Sequence, residues 1–414
     1  MDRQGHGGRP VTFDVEAVRA QFPILGRQVN GRPLIYLDSA ASAQKPQAVI
    51  DAMTAAMTNS YANVHRGLHT LANETTEAFE AARKRVASFI GADPNEIVFT
   101  KGATEAINLV ASGLGQSLVA GDEILLTEME HHANIVPWHF LRERQGIVLK
   151  FAPVLDDGRL DLEGFKALLS ARTKVVAFSH MSNVLGTVNP VADMVSAAKA
   201  VGAITLIDGC QSVVHLDVNV RDLGADFYVF SGHKLYGPTG IGVLYGKSES
   251  LESLPPYQGG GEMIADVSLD RITYADPPHR FEAGTPPILE AIGLDAALSW
   301  LQDQDRPAAA LHEHALYQRA IEGLAGANWL KVIGSAPGKG AILSFTIDGT
   351  HAHDLAQILD QYGVAVRAGT HCAEPLMRRF GVTSSLRASF ALYNTEAEVD
   401  AFVDALNRAQ AFFA

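Results

Sequence analysis

The chain has 414 residues, 47% apolar, 19% charged and 7% aromatic, a length for two or three domains with a large buried core. Lys and Arg number 33 against 46 Asp and Glu, a formal net charge of −13, which works against nucleic acid or an anionic membrane as partner. Two cysteines, Cys210 and Cys372, make neither a disulfide framework nor a metal site built on thiolates alone. The polar, Gly-rich Met1–Pro10 lacks the apolar core of a signal peptide, and no run approaches a membrane span, so a soluble protein of a reducing compartment, the cytoplasm, is expected.

Phe79, Ala82, Val86 and Phe89 recur at helical spacing until Gly91. A short apolar run from Glu96 to Phe99 follows, then Lys101-Gly102-Ala103-Thr104 and a second helical pattern. Glu123–Leu126, Lys174–Phe178, Ile204–Ile207 and Phe227–Phe230 read as buried strands, with helical spacing over Ala192–Gly202 between two of them. Alternation of this kind predicts an α/β fold with a mostly parallel sheet and ligands at the carboxyl ends of its strands. Tyr257–Thr285 reads as a Gly- and Pro-rich excursion, Pro286–Gln302 as a helix, and Asp303–Pro307 as a boundary. Beyond it come a strand over Ala341–Ile347, a helix around His353–Tyr362, a strand over Val364–Val366 and a closing helix from Thr395.

Ser231-Gly232-His233-Lys234 stands directly after a strand. A lone lysine there reads as a surface residue; in a cleft, burial can deprotonate its amine for Schiff-base chemistry. Asp208 ends an upstream strand, with Gln211 three residues on; alone, Asp208 reads as a helix cap. As a pair, Asp208 and Lys234 match what pyridoxal phosphate needs, a carboxylate for the ring nitrogen and an amine for the aldehyde. The strand-to-helix turn at Gly102-Ala103-Thr104 favours an anion, with Ser231 and His233 as further donors. His131-His132 follows a strand; an isolated pair reads first as structural hydrogen bonding or metal binding, and stacking on a cofactor ring is the rarer use. Arg367-Ala368-Gly369-Thr370-His371-Cys372-Ala373 places a thiol on a loop between cationic neighbours, which would lower its pKa. Cys210 reads as a small packing residue.

The segments Tyr36–Ala41, Val64–His69, Met129–Trp138, Ser182–Gly186, Phe230–Pro238, Arg280–Pro286 and Arg367–Ala373 together resemble the SUF-type, or group II, cysteine desulfurases of the class V aminotransferase family, from about residue 20 to the C-terminus. The resemblance implies fold type I: an N-terminal arm (1–30) packing with the small domain, a large cofactor domain (31–302), and a small C-terminal domain (303–414) carrying the cysteine loop. It implies pyridoxal 5'-phosphate on Lys234, Asp208 at the ring nitrogen, Gln211 at the ring hydroxyl and His131 over the ring. Thr104, Ser231 and His233 would hold the phosphate, with Thr285 reaching the phosphate of the other subunit of a homodimer. Asn183 and Arg387 would bind the substrate carboxylate, Arg367 would line the pocket, and His65 and Arg66 would lie near its entrance. Cys372 would take the sulfur of L-cysteine as a persulfide and pass it to a small acceptor of the SufE or SufU type, supplying iron–sulfur cluster assembly. No metal is expected. Two departures stand out: Thr370 where many relatives have a second histidine, and Cys210 where alanine is commoner. The alternative is a selenocysteine lyase on the same scaffold; an ordinary aminotransferase has no use for a loop thiol, and a silent scaffold has none for the set Asp208, Lys234 and Cys372.

Overall fold

A computed structural model describes residues 13–413. Its main sheet has seven strands: β1 (Ile97–Thr100), β2 (Glu123–Thr127), β3 (Val148–Ala152), β4 (Thr173–Ser179), β5 (Ile204–Asp208), β6 (Phe227–Ser231) and β7 (Gly242–Gly246), in the order β1-β7-β6-β5-β4-β2-β3. The five strands from β6 to β3 run parallel, and β7 is antiparallel to both β6 and β1. The near-continuous apolar runs of β4, β5 and β6 are those of strands covered on both faces. Sequence periodicity misses two members. The edge strand β3 is half exposed and carries Lys150; β7 is five residues between glycines.

Helix α1 (Thr70–Ile90) buries Phe79, Ala82, Val86 and Phe89 and ends at Gly91, whose φ of 73° lies in the left-handed region glycine adopts freely. Helix α2 (Ala103–Gly115) starts three residues after β1. The Tyr257–Thr285 excursion is irregular apart from a short hairpin, Ile264–Val267 with Ile272–Tyr274, and one 3-10 turn.

A second, antiparallel sheet is built by β8 (Leu330–Ile333), β9 (Ile342–Ile347), β10 (Arg367–Gly369) and β11 (Ser385–Ser389), ordered β8-β9-β11-β10. The strand expected over Val364–Val366 is two pieces: Val364–Ala365 pairs in parallel with Ile35–Tyr36, and the chain resumes at Arg367 as β10. Among the described residues two large apolar clusters result, with a small third of Ala40, Met181 and Ile342. One surrounds the main sheet and takes in Val18, Phe22 and Leu25; the other lies on the second sheet and takes in Ile35 and Leu37. Arg19 reaches across to Glu398 at 2.8 Å. The expectations for Met1–Pro10 lie outside the described residues. Among the described residues no helix is long and apolar enough to cross a membrane, and no cluster of three metal-binding side chains occurs.

Candidate active site

Parallel strands β5 and β6 end side by side, with Asp208 opposite Val229, so Asp208 and the turn Gly232–Lys234 after β6 come to the same sheet edge. Asp208 is buried, and its Oδ1 accepts the Cys210 N–H at 2.9 Å. The turn from β1 into α2 lies beside them: Ala103 N–H donates to Ser231 Oγ at 2.9 Å. A Cβ on Gly242 would stand 2.4 Å from Gly102 Cα, so β7 approaches this turn as closely as backbone permits. Thr104, Asp208, Ser231, His233 and Lys234 all line one cavity of about 260 Å³, closed from the other side by residues of the second sheet.

Burial, followed by the charge of Lys234, pushes His131 down to about 4, and its Nδ1 accepts the Ala133 N–H at 3.1 Å. At neutral pH this is an uncharged ring on the cavity wall. His233 is likewise held at about 4 by burial and by Lys234 and Lys45. Lys45 is itself lowered to about 8 by burial, with Nζ donating to the His233 carbonyl at 3.0 Å. Burial first, then Asp208, pushes the Cys210 thiol up to about 12, so Cys210 lines the cavity as an inert, protonated group.

Arg387 on β11 is buried, donating to the Asn183 carbonyl at 2.8 Å and to Asp38 at 3.3 Å, while its Nε has no partner. Arg367 grips the same Asp38 through Nε and Nη2, the latter at 2.8 Å. Asn183 Nδ2 donates to the His371 carbonyl at 2.8 Å. Cys372 is exposed at the cavity rim. His371 and Cys372 have φ of 53° and 54°, two successive side-chain-bearing residues in the left-handed region, each costing on the order of 1–2 kcal/mol. Such a pair persists only where its surroundings hold it.

One expectation needs correcting. His371 is no cationic neighbour of the thiol: it is buried, bonded through Nε2 to Ser385 at 2.9 Å, and pushed to about 3 by burial and by Arg387 and Arg367. Arg367 bonds Asp38 and also interacts with Cys372 as a cation, as expected, and Arg387 adds a second guanidinium that does the same. Four residues also stand apart from this cavity. Gln211 is buried beneath it, donating to the Ala40 carbonyl at 2.7 Å. Thr285 is exposed and lines a different cavity, beside Lys101 and Glu105. His65 is tied to Glu80 and Glu262, and Arg66 to Glu262, which holds both outside the cavity of their own chain. Sequence reasoning missed Asp38 and Lys45. Asp38 lies in a segment that carries the family resemblance, but its pairing with Arg367 spans 329 positions and leaves no local signal.

The donor set fits pyridoxal phosphate: a buried carboxylate for the ring nitrogen, an amine within the same cavity, and a helix N-terminus with hydroxyls for the phosphate. The model of the class-V aminotransferases matches residues 35–402. A cysteine desulfurase of Pectobacterium atrosepticum is 50% identical over 401 residues, 96% of this chain and 98% of that protein. The crystal structure of the Escherichia coli cysteine desulfurase CsdA, in an S-sulfonic acid form, is 41% identical with a TM-score of 0.91, covering 97% of this chain and all of that one. A mutant of the cystine C–S lyase C-DES, with glycine covalently linked to its pyridoxal-phosphate cofactor, is 25% identical with a TM-score of 0.80, over 94% of this chain and 98% of that one.

Proposed function

The chain belongs to the class-V aminotransferases, has the fold type I architecture and takes pyridoxal phosphate as cofactor, and from that premise we propose that it is a cysteine desulfurase that converts L-cysteine to L-alanine and moves the sulfur onto Cys372. The observation that carries this reading is an exposed thiol at the rim of the cavity that holds both Asp208 and Lys234.

Pyridoxal phosphate, when bound, supplies the electron sink that weakens the substrate's Cα–H and C–S bonds. Asp208 keeps the ring nitrogen protonated. Thr104, Ser231 and His233 hold the phosphate, and His131 offers the ring an uncharged face. Asn183 and Arg387 receive the substrate carboxylate, for which a guanidinium fork is suited. Lys234 carries the proton taken from Cα. The Cys372 thiolate attacks the substrate sulfur: an S–S bond forms, the C–S bond breaks, and the electron pair left on carbon takes a proton as alanine departs. Carbon is reduced as sulfur is oxidised to the persulfide, so no outside oxidant is needed.

The finer reading is a SUF-type enzyme of the cytoplasm that feeds iron–sulfur cluster assembly. It acts as a homodimer in which Thr285 serves the second subunit's phosphate. The division into arm (1–30), large domain (31–302) and small domain (303–414) belongs to this proposal. A loop of only Thr370 and His371 between β10 and Cys372 keeps a persulfide near the cavity, which favours a dedicated acceptor of the SufE or SufU type.

The test follows alanine release and the mass of Cys372 with L-cysteine as substrate. Wild type should release alanine and gain one sulfur. Lys234→Ala should lose visible absorbance and turnover. Cys372→Ala should bind L-cysteine and form no persulfide, and wild-type alanine release by this variant would overturn the assignment. Selenocysteine turnover surviving in Cys372→Ala would instead mark the lyase alternative.

A further inference from the structure

The chemistry above uses His131 and leaves its neighbour idle, yet His132 touches the nucleophile's loop twice. Its backbone N–H donates to the Cys372 carbonyl at 2.7 Å, and its ring Nε2 accepts the Glu374 N–H at 3.0 Å. We propose that His132 is a positioning residue, a clamp that fixes the direction of the Cys372 thiol toward the substrate sulfur; the proposal rests on the desulfurase reading.

The two bonds flank Ala373, one at the Cys372 carbonyl and one at the Glu374 N–H, so both hold the backbone directly after the thiol. Glu374 opens the short helix Glu374–Arg379, so its N–H has no partner within that helix. The ring of His132 supplies the missing acceptor from another part of the chain. That acceptor role assigns Nε2 as the lone-pair nitrogen of the ring. On the near side, the left-handed His371 and Cys372 are held by the turn bond from the Ala373 N–H to the Thr370 carbonyl at 2.9 Å, by the Asn183 contact to the His371 carbonyl and by the His371–Ser385 contact. His131 caps the 3-10 turn His132–Asn134, so the ring facing the cofactor and the clamp on the thiol sit on one rigid piece. That turn is anchored below by Asn134, whose amide donates to the buried Glu130 at 2.8 Å. One segment therefore sets the spacing between cofactor ring and nucleophile.

Three variants of the holoenzyme separate this role from simple packing. Glutamine places Oε1 where the ring Nε2 stands; asparagine reaches only as far as Nδ1; alanine reaches neither. Hydrogen exchange at the Glu374 amide reads the clamp directly, and single-turnover persulfide formation reads its consequence. His132→Ala and His132→Asn should lose Glu374 protection and slow persulfide formation on the order of 10- to 100-fold, as a misplaced nucleophile does. KM for L-cysteine and the cofactor's visible absorbance should stay within about twofold, and His132→Gln should keep both protection and rate. Wild-type persulfide rates in the asparagine and alanine variants would overturn the proposal. So would a glutamine variant that keeps Glu374 protected and is as slow as asparagine. If wild type released no alanine from L-cysteine, the desulfurase reading would fall, and the clamp would still be decided by the protection pattern at Glu374.

Discussion

Arg367 and Arg387 stand directly opposite each other on neighbouring antiparallel strands, an arrangement in which like charges repel. Asp38 makes it tolerable by bonding both. Burial drags Arg387 down to about 10 even with Asp38 opposing the shift, so its charge depends on that carboxylate. Asp38→Asn removes the counter-charge and leaves a buried guanidinium poorly compensated. The variant should lose about 3 kcal/mol of stability in urea unfolding. It should also raise KM for L-cysteine more than it lowers kcat, because the fork proposed to receive the substrate carboxylate is no longer held. An unchanged KM would assign Asp38 to stability alone.

The proposed phosphate cradle is a matter of elements, since it exists only where β7 lets the β1–α2 turn come close. The Cβ of an alanine at Gly242 would meet Gly102 backbone atoms at 2.4 to 2.9 Å, and backbone cannot swing aside as a side chain can. Gly242→Ala should therefore cost about 1–3 kcal/mol by overpacking. It should also push the turn away from Ser231, and pyridoxal phosphate should be lost on gel filtration at concentrations where wild type retains it. At Gly259 an added Cβ meets nothing within 4 Å, so Gly259→Ala should behave as wild type and serves as the control. Retention of cofactor by Gly242→Ala would show that the turn has slack the packing does not suggest.

Across the whole molecule, burial keeps several histidines uncharged. His131, His180 and His233 are lowered to about 4 and His371 to about 3, all led by desolvation. In the unfolded chain each takes a proton near pH 6.5. Between about pH 6.5 and 4.5 the unfolded state thus binds more protons at these positions, and stability falls as pH falls. Glu130 works the other way in this window: burial raises it to about 7, so the folded state holds the extra proton. Four histidines outweigh Glu130 together with His65 and His215, whose raised pKa values oppose them only at the upper end of the window, and each uncompensated histidine contributes about 1.4 kcal/mol per pH unit. The urea midpoint of the cofactor-free protein should therefore drop steeply from pH 6.5 to pH 4.5. A flat profile would mean that these rings are hydrated in solution.

The strands that carry Asp208 and Lys234 were legible because doubly covered strands are written locally, as unbroken apolar runs; the expected Ile204–Ile207 and Phe227–Phe230 each fall one residue short of the observed end. The family resemblance extended that reading to Cys372, Asn183 and Arg387, all of which line the cavity with Lys234. Two strands were not legible, because half-exposed Val148–Ala152 and the five-residue, glycine-bounded Gly242–Gly246 carry no period of their own. What only the tertiary structure decided is how the two sheets face each other across the cavity. That docking brings His132 to the backbone directly after Cys372, and the fold of the N-terminal segment onto the second sheet, where Asp38 bridges Ser389, gives Arg367 its carboxylate. Each of these contacts joins segments far apart in the chain. Their free energy comes from desolvation and hydrogen-bond direction at the meeting of two surfaces, and neither exists until both surfaces have folded.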